Sequence, residues 1–338
     1  MKAVAVFNNK GGVGKTTLVC NLAGYLSKKR NMNVLVIDAD PQCNTTTYVL
    51  DEDQFYDVYY EPTCFTIEDL IPPLEDGAGY VQEFSVTRSS CFGFDVIPGN
   101  PRFAACEDFL ASEWKDVKSA DLRGIRSTML FIHFLTMCAQ YDFVFFDMGP
   151  SLGAINRSIL LACDYFITPM SSDVFSLLAL GNIGESITTW GGLFNKGIQD
   201  LEPRKRGSIK EYKQCCSLKF LGYVEQQYIS KSVGGTARAV RAYDEILRRI
   251  PVEIEEKIIK PINNDEEIYV DYKIGSIPNF YSLVPMSQTA HKPIFELTNA
   301  DGVVGAHYQK VKDYSDLMDT IVSRMLENVE ALNDKLAE

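Results

Sequence analysis

Short apolar runs alternate with longer amphipathic segments along most of this chain. An apolar run without polar alternation is typical of a strand buried on both faces, as in a parallel sheet. The predicted strands are 3–7, 33–37, 94–97, 142–147, 162–169, 219–224 and 275–279. Apolar positions at helical spacing predict helices mainly at 18–29, 103–114, 125–140, 175–190, 237–250 and 310–336. The alternation predicts an α/β fold: a doubly wound, mainly parallel sheet with helices on both faces.

We expect a single domain over residues 1–338, because no repeat and no low-complexity linker divides the sequence. Two decorations are expected, at about 48–90 and 195–270. The first opens with the acidic, tyrosine-rich segment Asp51–Glu61, which is either an acidic binding loop or a surface segment without an assignable function. Thr66 then caps a short predicted helix that ends at Ile71.

One stretch, Lys10–Thr17, has the sequence KGGVGKTT and lies between a predicted strand and a predicted helix. This is the context of a phosphate-binding loop, whose glycines let the backbone aim its N–H groups inward. Lys15 would meet the β- and γ-phosphates, the Thr16 hydroxyl would bind Mg²⁺ and Thr17 would reach the α-phosphate. The predicted nucleotide-binding residues of this loop are Gly11, Gly12, Val13, Gly14, Lys15, Thr16 and Thr17. A glycine-rich turn without a ligand is disfavoured, because the spacing, the Lys-Thr ending and the flanking elements all agree.

Acidic residues follow two of the predicted strands at their C-terminal ends. Asp38 and Asp40 come after the second predicted strand, 33–37, and Asp147 ends the fourth predicted strand, 142–147. Ligands of open α/β sheets bind at this edge, and carboxylates beside a phosphate loop can orient Mg²⁺ or the attacking water. We therefore predict a metal site made by Thr16, Asp38 and Asp147. The alternative is that the acids only cap the strands.

The loop KGGVGKTT resembles the deviant Walker A loop of the ParA/MinD family of ATPases, in which a second lysine precedes the glycines. The segment Asp38–Asn44 is similar to that family's D-x-D-P-Q-G-N motif, although Cys43 replaces the glycine. Asp147 matches the Walker B acid, whereas Met148 and Gly149 depart from the family's D-T-P-P sequence. The resemblance covers residue 2 to about residue 325 and is to the ParA branch.

The resemblance implies an ATPase that uses ATP and Mg²⁺ and forms a homodimer in the ATP state. In such a dimer Lys10 would reach the phosphates of the partner, whereas alone it would be an ordinary solvated loop lysine. The resemblance also ties Asp40 to hydrolysis, so the predicted catalytic residues are Lys10, Lys15 and Asp40. The residues that it places at the adenine are Gln227, with Gln226 as the alternative, and Pro278.

The formal net charge of −12 argues against a uniformly basic nucleic-acid binder. The segment 196–249 nevertheless has a local balance of +6. Such asymmetry marks either an anion-binding face or a solvated helix face, and the sequence leaves both open. The DNA-binding residues that we predict are Arg204, Lys205, Arg206, Arg238 and Arg241.

Other features of the sequence bear on the cellular location of the protein and on the chemistry of its cysteines and histidines. No apolar run is long enough to span a membrane, and the closing helix lacks a basic face with bulky apolar partners. Met1-Lys2 leads directly into a strand, so we expect no signal peptide. The nine cysteines contain no CxxC pair, and the three histidines are scattered. We expect a cytoplasmic protein, nucleoid-associated if it binds DNA.

Two functions remain open. The first is an ATP-dependent, dimerising switch that binds DNA without sequence preference, is stimulated by a ParB-like or other partner protein, and acts in plasmid or chromosome partitioning. The second is a ParA-like regulatory ATPase that positions or gates a protein partner instead of DNA. A MinD-like membrane role is disfavoured by the closing helix, and a metabolic role by the lack of a cysteine near Asp147.

Overall fold

The computed structural model describes residues 1–61, 64–171, 173–202, 207, 209, 218–228, 237–263, 270–280 and 282–334. For 227–228, 237–244 and 334 it describes the backbone alone. In this described part of the chain, no helix combines the length and the apolar character needed to cross a membrane.

Within the described residues, eight strands form one sheet in the order β3-β4-β2-β5-β1-β6-β7-β8. All neighbouring pairs are parallel except β3 and β4, which are antiparallel. The strands are β1 Lys2–Val6, β2 Val34–Asp38, β3 Thr87–Ser89, β4 Phe94–Ile97, β5 Phe143–Asp147, β6 Tyr165–Ser171, β7 Lys219–Tyr228 and β8 Lys273–Pro278.

Helices connect the strands and cover both faces of the sheet. The α-helices are α1 Lys15–Arg30, α2 Asn44–Val49, α3 Glu52–Tyr60, α4 Pro72–Glu75, α5 Cys106–Val117, α6 Leu122–Thr128, α7 Leu130–Thr136, α8 Ala154–Ala162, α9 Val174–Asp200, α10 Ala237–Ile254, α11 Lys260–Asn263, α12 Leu283–Thr289 and α13 His307–Asp334. Short 3₁₀ helices lie at Ile67–Leu70, Pro101–Ala105, Ile294–Glu296 and Asn299–Asp301, and one π-helical segment at Glu255–Ile259.

The uninterrupted apolar runs follow from burial on both faces. In β1, Ala3 and Ala5 pack into one hydrophobic core, while Val4 and Val6 point into the core on the other side of the sheet. Successive side chains of a strand point to opposite faces, so a strand covered on both faces needs an apolar residue at every position. The predicted fold class is therefore confirmed. The division into one domain with two decorations stays a prediction.

The helix predicted at 125–140 is instead two helices, α6 and α7, which meet at Met129. Ile125 and Met129 pack in a core cluster that contains Trp114, whereas Leu130 and Phe134 pack into the core against the sheet. The break allows the two halves to face different layers, and periodicity along one segment does not reveal such a change of direction.

Three further boundaries differ from the prediction. Helix α9 continues past residue 190 to Asp200, because Phe194 and Ile198 extend its buried face. Helix α10 continues to Ile254 with Pro251 inside it. The short strand β3 was not predicted; it lies antiparallel on the edge of the sheet, where a three-residue strand carries little sequence signal.

Helix α8 carries the buried Arg157, which lies between the two tryptophans of the chain. The carbon of its guanidinium group is 4.2 Å from the ring centroid of Trp114 and 6.0 Å from that of Trp190. Burial lowers the pKa of Arg157 to about 10, and the nearby carboxylate of Glu107 acts in the opposite direction. The arrangement joins α5, α8 and α9 by cation–π contacts.

Candidate functional site

The segment between β1 and α1 forms a loop that leaves backbone N–H groups at the start of α1. Gly12 has φ +72° and Gly14 has φ +77°, a left-handed conformation that glycine adopts without steric cost. Gly14 caps α1 without a side chain, and the first turn of the helix contains no acid. The N-terminal end of a helix with its N–H groups exposed in this way favours an anion, and phosphate above all.

Lys15 is the first residue of α1 and is nearly buried, at 8% exposure. Its Nζ donates hydrogen bonds to the backbone carbonyls of Asn8 (3.2 Å) and Lys10 (3.1 Å), so the side chain folds back along the loop. Burial lowers its pKa, while the charges of Asp147 and Asp40 act in the opposite direction. The ammonium group is thus held where a bound phosphate would meet it.

Asp147, at the end of β5, is the acceptor around which this site is built. Its Oδ2 accepts hydrogen bonds from the hydroxyls of Thr16 and Thr45, both at 2.7 Å. Its Oδ1 is buried and has no hydrogen-bond partner in the described part of the chain. Burial raises the pKa of Asp147 to about 6, and the two threonine hydrogen bonds oppose that rise.

Asp38 lies beside Asp147, since β2 and β5 pair in parallel with these two residues in register. Its Oδ2 accepts hydrogen bonds from the backbone N–H and the hydroxyl of Thr46, both at 2.7 Å. Burial, with the charge of Asp147, raises the pKa of Asp38 to about 8. Among the described residues its Oδ1 also lacks a partner.

These donors fit a divalent cation with hard oxygen ligands. Two buried carboxylate oxygens that lack a partner within the described ranges lie at one edge of the sheet, beside the Thr16 hydroxyl. The described residues contain no group of three or more His, Cys, Asp and Glu side chains that could hold a metal ion by themselves. Mg²⁺ is commonly bound by one or two carboxylates, with water and phosphate oxygens supplying the other ligands, so the donor set suits it.

Asp40 lies beyond the end of β2 on the wall of the cavity above the loop. Its Oδ1 accepts a hydrogen bond from the backbone N–H of Gln42 at 3.0 Å. A Cβ placed on Gly149 would lie 3.4 Å from the same oxygen. The departure from the family sequence at Gly149 therefore puts bare backbone against the Asp40 carboxylate.

The loop that follows Asp147 is held from behind by two residues that sequence reasoning missed. The side-chain amide of Asn156 donates to the carbonyls of Gly149 and Ser151, both at 2.7 Å. The Glu107 carboxylate accepts hydrogen bonds from the backbone N–H groups of Ala154 and, at 3.1 Å, Ile155. Neither residue belongs to a motif, and only the packing of α5 against α8 brings Glu107 to this place.

Lys10 forms an ion pair with Asp173, whose carboxylate also caps α9 by accepting a hydrogen bond from the backbone N–H of Ser176 at 3.1 Å. Both side chains are about one-third exposed. Burial favours the protonated form of Asp173, but the hydrogen bonds from Lys10 and Ser176 outweigh burial and hold its pKa below the usual value. The second lysine of the loop is thus held by its own chain.

The cavity above the loop has a volume of about 620 Å³. Besides Gly11–Thr17 its lining residues are Asp40, Gln42, Asn44, Thr47, Tyr48, Pro150, Gln288 and His291. His291 belongs to a loop far along the chain and lies on the cavity wall with φ +49°. Only the fold brings this distant loop to the phosphate loop.

At the predicted adenine position, the described side chain is that of Gln226. Its Nε2 lies 3.4 Å from the carbonyl oxygen of Gly14, and a Cβ on Gly14 would come within 2.8 Å of its Oε1. Gln226 and Pro278 line a small cleft next to Thr17. The side chain of Gln227 lies outside the described part of the structure, so its role stays a prediction.

The predicted DNA-binding residues are not brought together by any described contact. Arg204, Lys205 and Arg206 lie outside the described residues. Arg238 and Arg241 lie on α10, where the backbone alone is described. Their clustering in space stays a prediction.

Comparison with known proteins agrees with this site. Residues 1–199 match the AAA domain family AAA_31. The virulence plasmid ParA family protein pGP5-D of Chlamydia psittaci is 28% identical over 193 residues, covering 56% of this chain and 65% of that protein. The chromosome partitioning protein ParA of Myxococcus xanthus is 28% identical over 189 residues, covering 55% and 58% respectively. The chain thus spans less than two thirds of the length of these curated relatives.

Protein DIP2308 of Corynebacterium diphtheriae, a solved structure, superimposes with a TM-score of 0.69 and 29% identity over 86% of this chain and 97% of that one. A doubly wound sheet with a glycine loop after β1 and acids after β2 and β5 defines a P-loop nucleotide-binding protein. Its second loop lysine gives it the deviant Walker A form. The chain belongs to the AAA_31 family and has the fold and the glycine loop of a ParA-like P-loop protein.

Proposed function

We propose that this chain is an ATP-dependent switch of ParA type, which dimerises with ATP, binds DNA without sequence preference in that state, and acts in plasmid or chromosome partitioning. The observation that carries the proposal is the buried Oδ1 of Asp147, which has no hydrogen-bond partner among the described residues and lies beside Thr16 and Lys15 at a glycine loop. That arrangement supports a site for a nucleoside triphosphate with a divalent cation. The finer steps rest on kinship with ParA proteins.

In the proposed reaction, water attacks the γ-phosphorus of ATP, the bond to the β,γ-bridging oxygen breaks, and ADP and inorganic phosphate leave. Lys15 and the N–H groups at the start of α1 hold the phosphates. Asp40, on the cavity wall, orients the attacking water. Thr16, Asp147 and Asp38 would hold Mg²⁺ directly or through water, and the bound ion would offset the phosphate charge. The turnover is slow without a partner protein.

Dimerisation is proposed to depend on Lys10. Its ammonium group lies at the outer edge of the loop, about one-third exposed, and is retained by an ion pair that a competing phosphate can replace. A phosphate group attracts a lysine more strongly than does a single carboxylate that is one-third exposed. An ATP-bound partner subunit would therefore take Lys10 from Asp173.

Variants at the loop test the nucleotide and dimer steps separately. Lys15→Ala should abolish ATP binding in calorimetry. Lys10→Ala should bind ATP but remain a monomer in sedimentation velocity, and Asp40→Ala should dimerise with ATP but not hydrolyse it. Lys29→Ala, at an exposed lysine of α1 away from the loop, is the control for a lost lysine. ATP-dependent dimerisation of Lys10→Ala would refute the role of Lys10.

Retention on non-specific duplex DNA tests the output of the switch. The protein is applied with ATP, with ADP and without nucleotide, each at two salt concentrations. Retention that occurs only in the presence of ATP, and that decreases steeply as the salt concentration rises, would support contacts between the dimer and the phosphate backbone of DNA. Changing both Arg238 and Arg241 to Glu should abolish it and leave ATP binding intact. The same charge change at Lys310 and Lys312 is the control.

The second candidate is a ParA-like ATPase that positions or gates a protein partner. The observation that favours it is the net charge of −12 together with an exposed acidic helix, α3. Acidic surface repels nucleic acid and suits a basic protein segment. ATP-dependent dimerisation without DNA retention in any nucleotide state would select this function over partitioning.

A further inference from the structure

Helix α3 presents a stripe of alternating acids and tyrosines to solvent. Asp53, Tyr56, Asp57 and Tyr60 are spaced i, i+3, i+4, i+7 and therefore share one helix face, which we call the α3 face. Tyr56 and Tyr60 are 57% and 69% exposed. Their rings stack on each other with centroids 4.6 Å apart and planes at 18°.

Within the described residues, the carboxylates of the α3 face are not paired with a lysine or an arginine. Neither Asp53 nor Asp57 forms an ion pair in the described part of the chain, and the sequence contains no Lys or Arg between Arg30 and Arg88. Exposed acids on a helix are ordinarily interspersed with bases that offset their repulsion. On the α3 face, the positive charge that would offset this repulsion can be supplied by another molecule.

The α3 face is held rigidly. Asp51 and Gln54 form a capping box at the start of the helix, and Gln54 also donates to the carbonyl oxygen of Arg88 at 2.8 Å. On the opposite side, Val58 is buried and the hydroxyl of Tyr59 donates to the carbonyl oxygen of Gly99 at 2.9 Å. A fixed platform loses little entropy when a partner binds to it.

The anchoring side of α3 leads directly to the candidate active site. A Cβ placed on Gly99 would lie 3.0 Å from the carboxyl group of Asp38 and from the Sγ of Cys43. Tyr59 therefore joins the helix to the turn that packs against the metal-site carboxylate. A molecule on the α3 face would be separated from that carboxylate by one helix and one turn.

We propose that the α3 face is a docking site for an arginine-bearing segment of a partner protein. A guanidinium group can stack on a tyrosine ring and at the same time form a bidentate hydrogen-bonded pair with a carboxylate. A neighbouring acid and tyrosine on the α3 face can therefore bind one arginine side chain together. The compact, strongly hydrated ammonium of lysine matches it less well. Nucleic acid and anionic lipid are excluded as occupants by the sign of the charge.

The docking needs no nucleotide, so it is measured on the apo chain, and its outcome is separate from that of the proposed ATPase. The probe is a fluorescein-labelled hexa-arginine peptide, followed by fluorescence anisotropy at low and moderate salt. Hexa-lysine and a neutral Gly-Ser peptide are the comparison probes. We expect hexa-arginine to bind more tightly than hexa-lysine, and the neutral peptide not to bind.

Two double variants separate the contribution of charge to hexa-arginine binding from the contribution of ring stacking. Asp53→Asn with Asp57→Asn removes the acids, and Tyr56→Ser with Tyr60→Ser removes the rings. Each should weaken hexa-arginine binding about tenfold, the combined effect of two exposed contacts. The matched control changes Glu327 and Glu330 to Gln, an exposed acid pair three residues apart on α13 without tyrosines, and should leave binding within about twofold.

A measurement on the unmodified chain guards against misfolded variants. Tetranitromethane nitrates exposed tyrosines, and mass spectrometry locates the products. Hexa-arginine should protect Tyr56 and Tyr60 but not Tyr308, which is 52% exposed on α13. Equal protection of all three, or an equal loss of binding in the Glu327/Glu330 control, would overturn the proposal. So would self-association of the apo chain that the tyrosine variant abolishes, since the occupant would then be a second copy.

Discussion

Replacing Asp173 with Asn should free Lys10 and strengthen ATP-dependent dimerisation. In the structure, one carboxylate both pairs with Lys10 and caps α9 through Ser176. Asparagine caps a helix about as well as aspartate, so Asp173→Asn removes the charge and keeps the cap. Asp173→Ala removes both.

The structure sets the size of each effect. An ion pair whose side chains are about one-third exposed contributes roughly 0.5–1 kcal/mol, and loss of a cap costs about 1 kcal/mol more. Asp173→Asn should therefore lower the free energy of unfolding by about 0.5–1 kcal/mol, and Asp173→Ala by about 1.5–2 kcal/mol. Because the pKa of Asp173 lies below its usual 3.8, this stability is present above about pH 4 and is lost as the pH falls through the lowered pKa.

Each subunit of a dimer would contribute one released lysine. Two releases of about 0.5–1 kcal/mol correspond to a dimer about 5- to 30-fold tighter. The assay is sedimentation velocity with ATP and Mg²⁺, comparing Asp40→Ala with the double variant Asp40→Ala, Asp173→Asn so that hydrolysis does not dissolve the dimer. An unchanged dimer constant in the double variant, with the expected loss of monomer stability, would refute the idea that Asp173 competes for Lys10.

Three further predictions concern the loop and its supports. Asp147→Asn removes a buried charge and keeps an acceptor, so it should raise the free energy of unfolding of the apo chain by about 1–3 kcal/mol at pH 7 and abolish the stabilisation by Mg²⁺ with nucleotide in thermal melting. Gly14→Ala puts a methyl group 2.8 Å from the Gln226 amide in left-handed backbone, so it should cost at least about 1 kcal/mol and weaken nucleotide binding in calorimetry. Glu107→Gln removes an ionised acceptor from the start of α8, so it should cost about 0.5–1 kcal/mol and lower kcat for ATP more than it changes KM.

Matched variants make these outcomes decisive. Gly12→Ala carries the same backbone strain as Gly14→Ala, but a Cβ there meets no atom of the described chain within 4 Å, so it should weaken binding less. Asp108→Asn alters an exposed acid next to Glu107 and should leave kcat unchanged. An apo Asp147→Asn protein less stable than the parent would show that the charge is better satisfied than its contacts indicate.

Much of the fold follows from the sequence because each central strand is covered on both faces. In β1 and β5 the stretches 3–6 and 143–146 are therefore apolar at every position, and the runs stand out without an alignment. The glycine loop is equally visible, because its chemistry is confined to consecutive residues. The sequence pattern was sufficient wherever a structural feature is determined by residues close together in the sequence.

Local pattern failed where the cause was a distant contact. The partner of Lys10 is 163 residues away, and Glu107 reaches the start of α8 across 47 residues. At the adenine position the sequence left Gln226 and Gln227 as alternatives. The side chain of Gln226 contacts the loop at Gly14, while that of Gln227 lies outside the described part of the structure and its role stays a prediction.

The clamp of Arg157 between two aromatic rings has an optical consequence. Trp114 and Trp190 are the only tryptophans of the chain, so its intrinsic fluorescence comes from the surroundings of one guanidinium group on α8. That helix begins directly after the loop behind Asp147. A shift of α8 by a fraction of an ångström would alter the environment of both emitters together. The unlabelled protein thus carries its own probe for movement of this loop, readable by stopped-flow mixing with nucleotide.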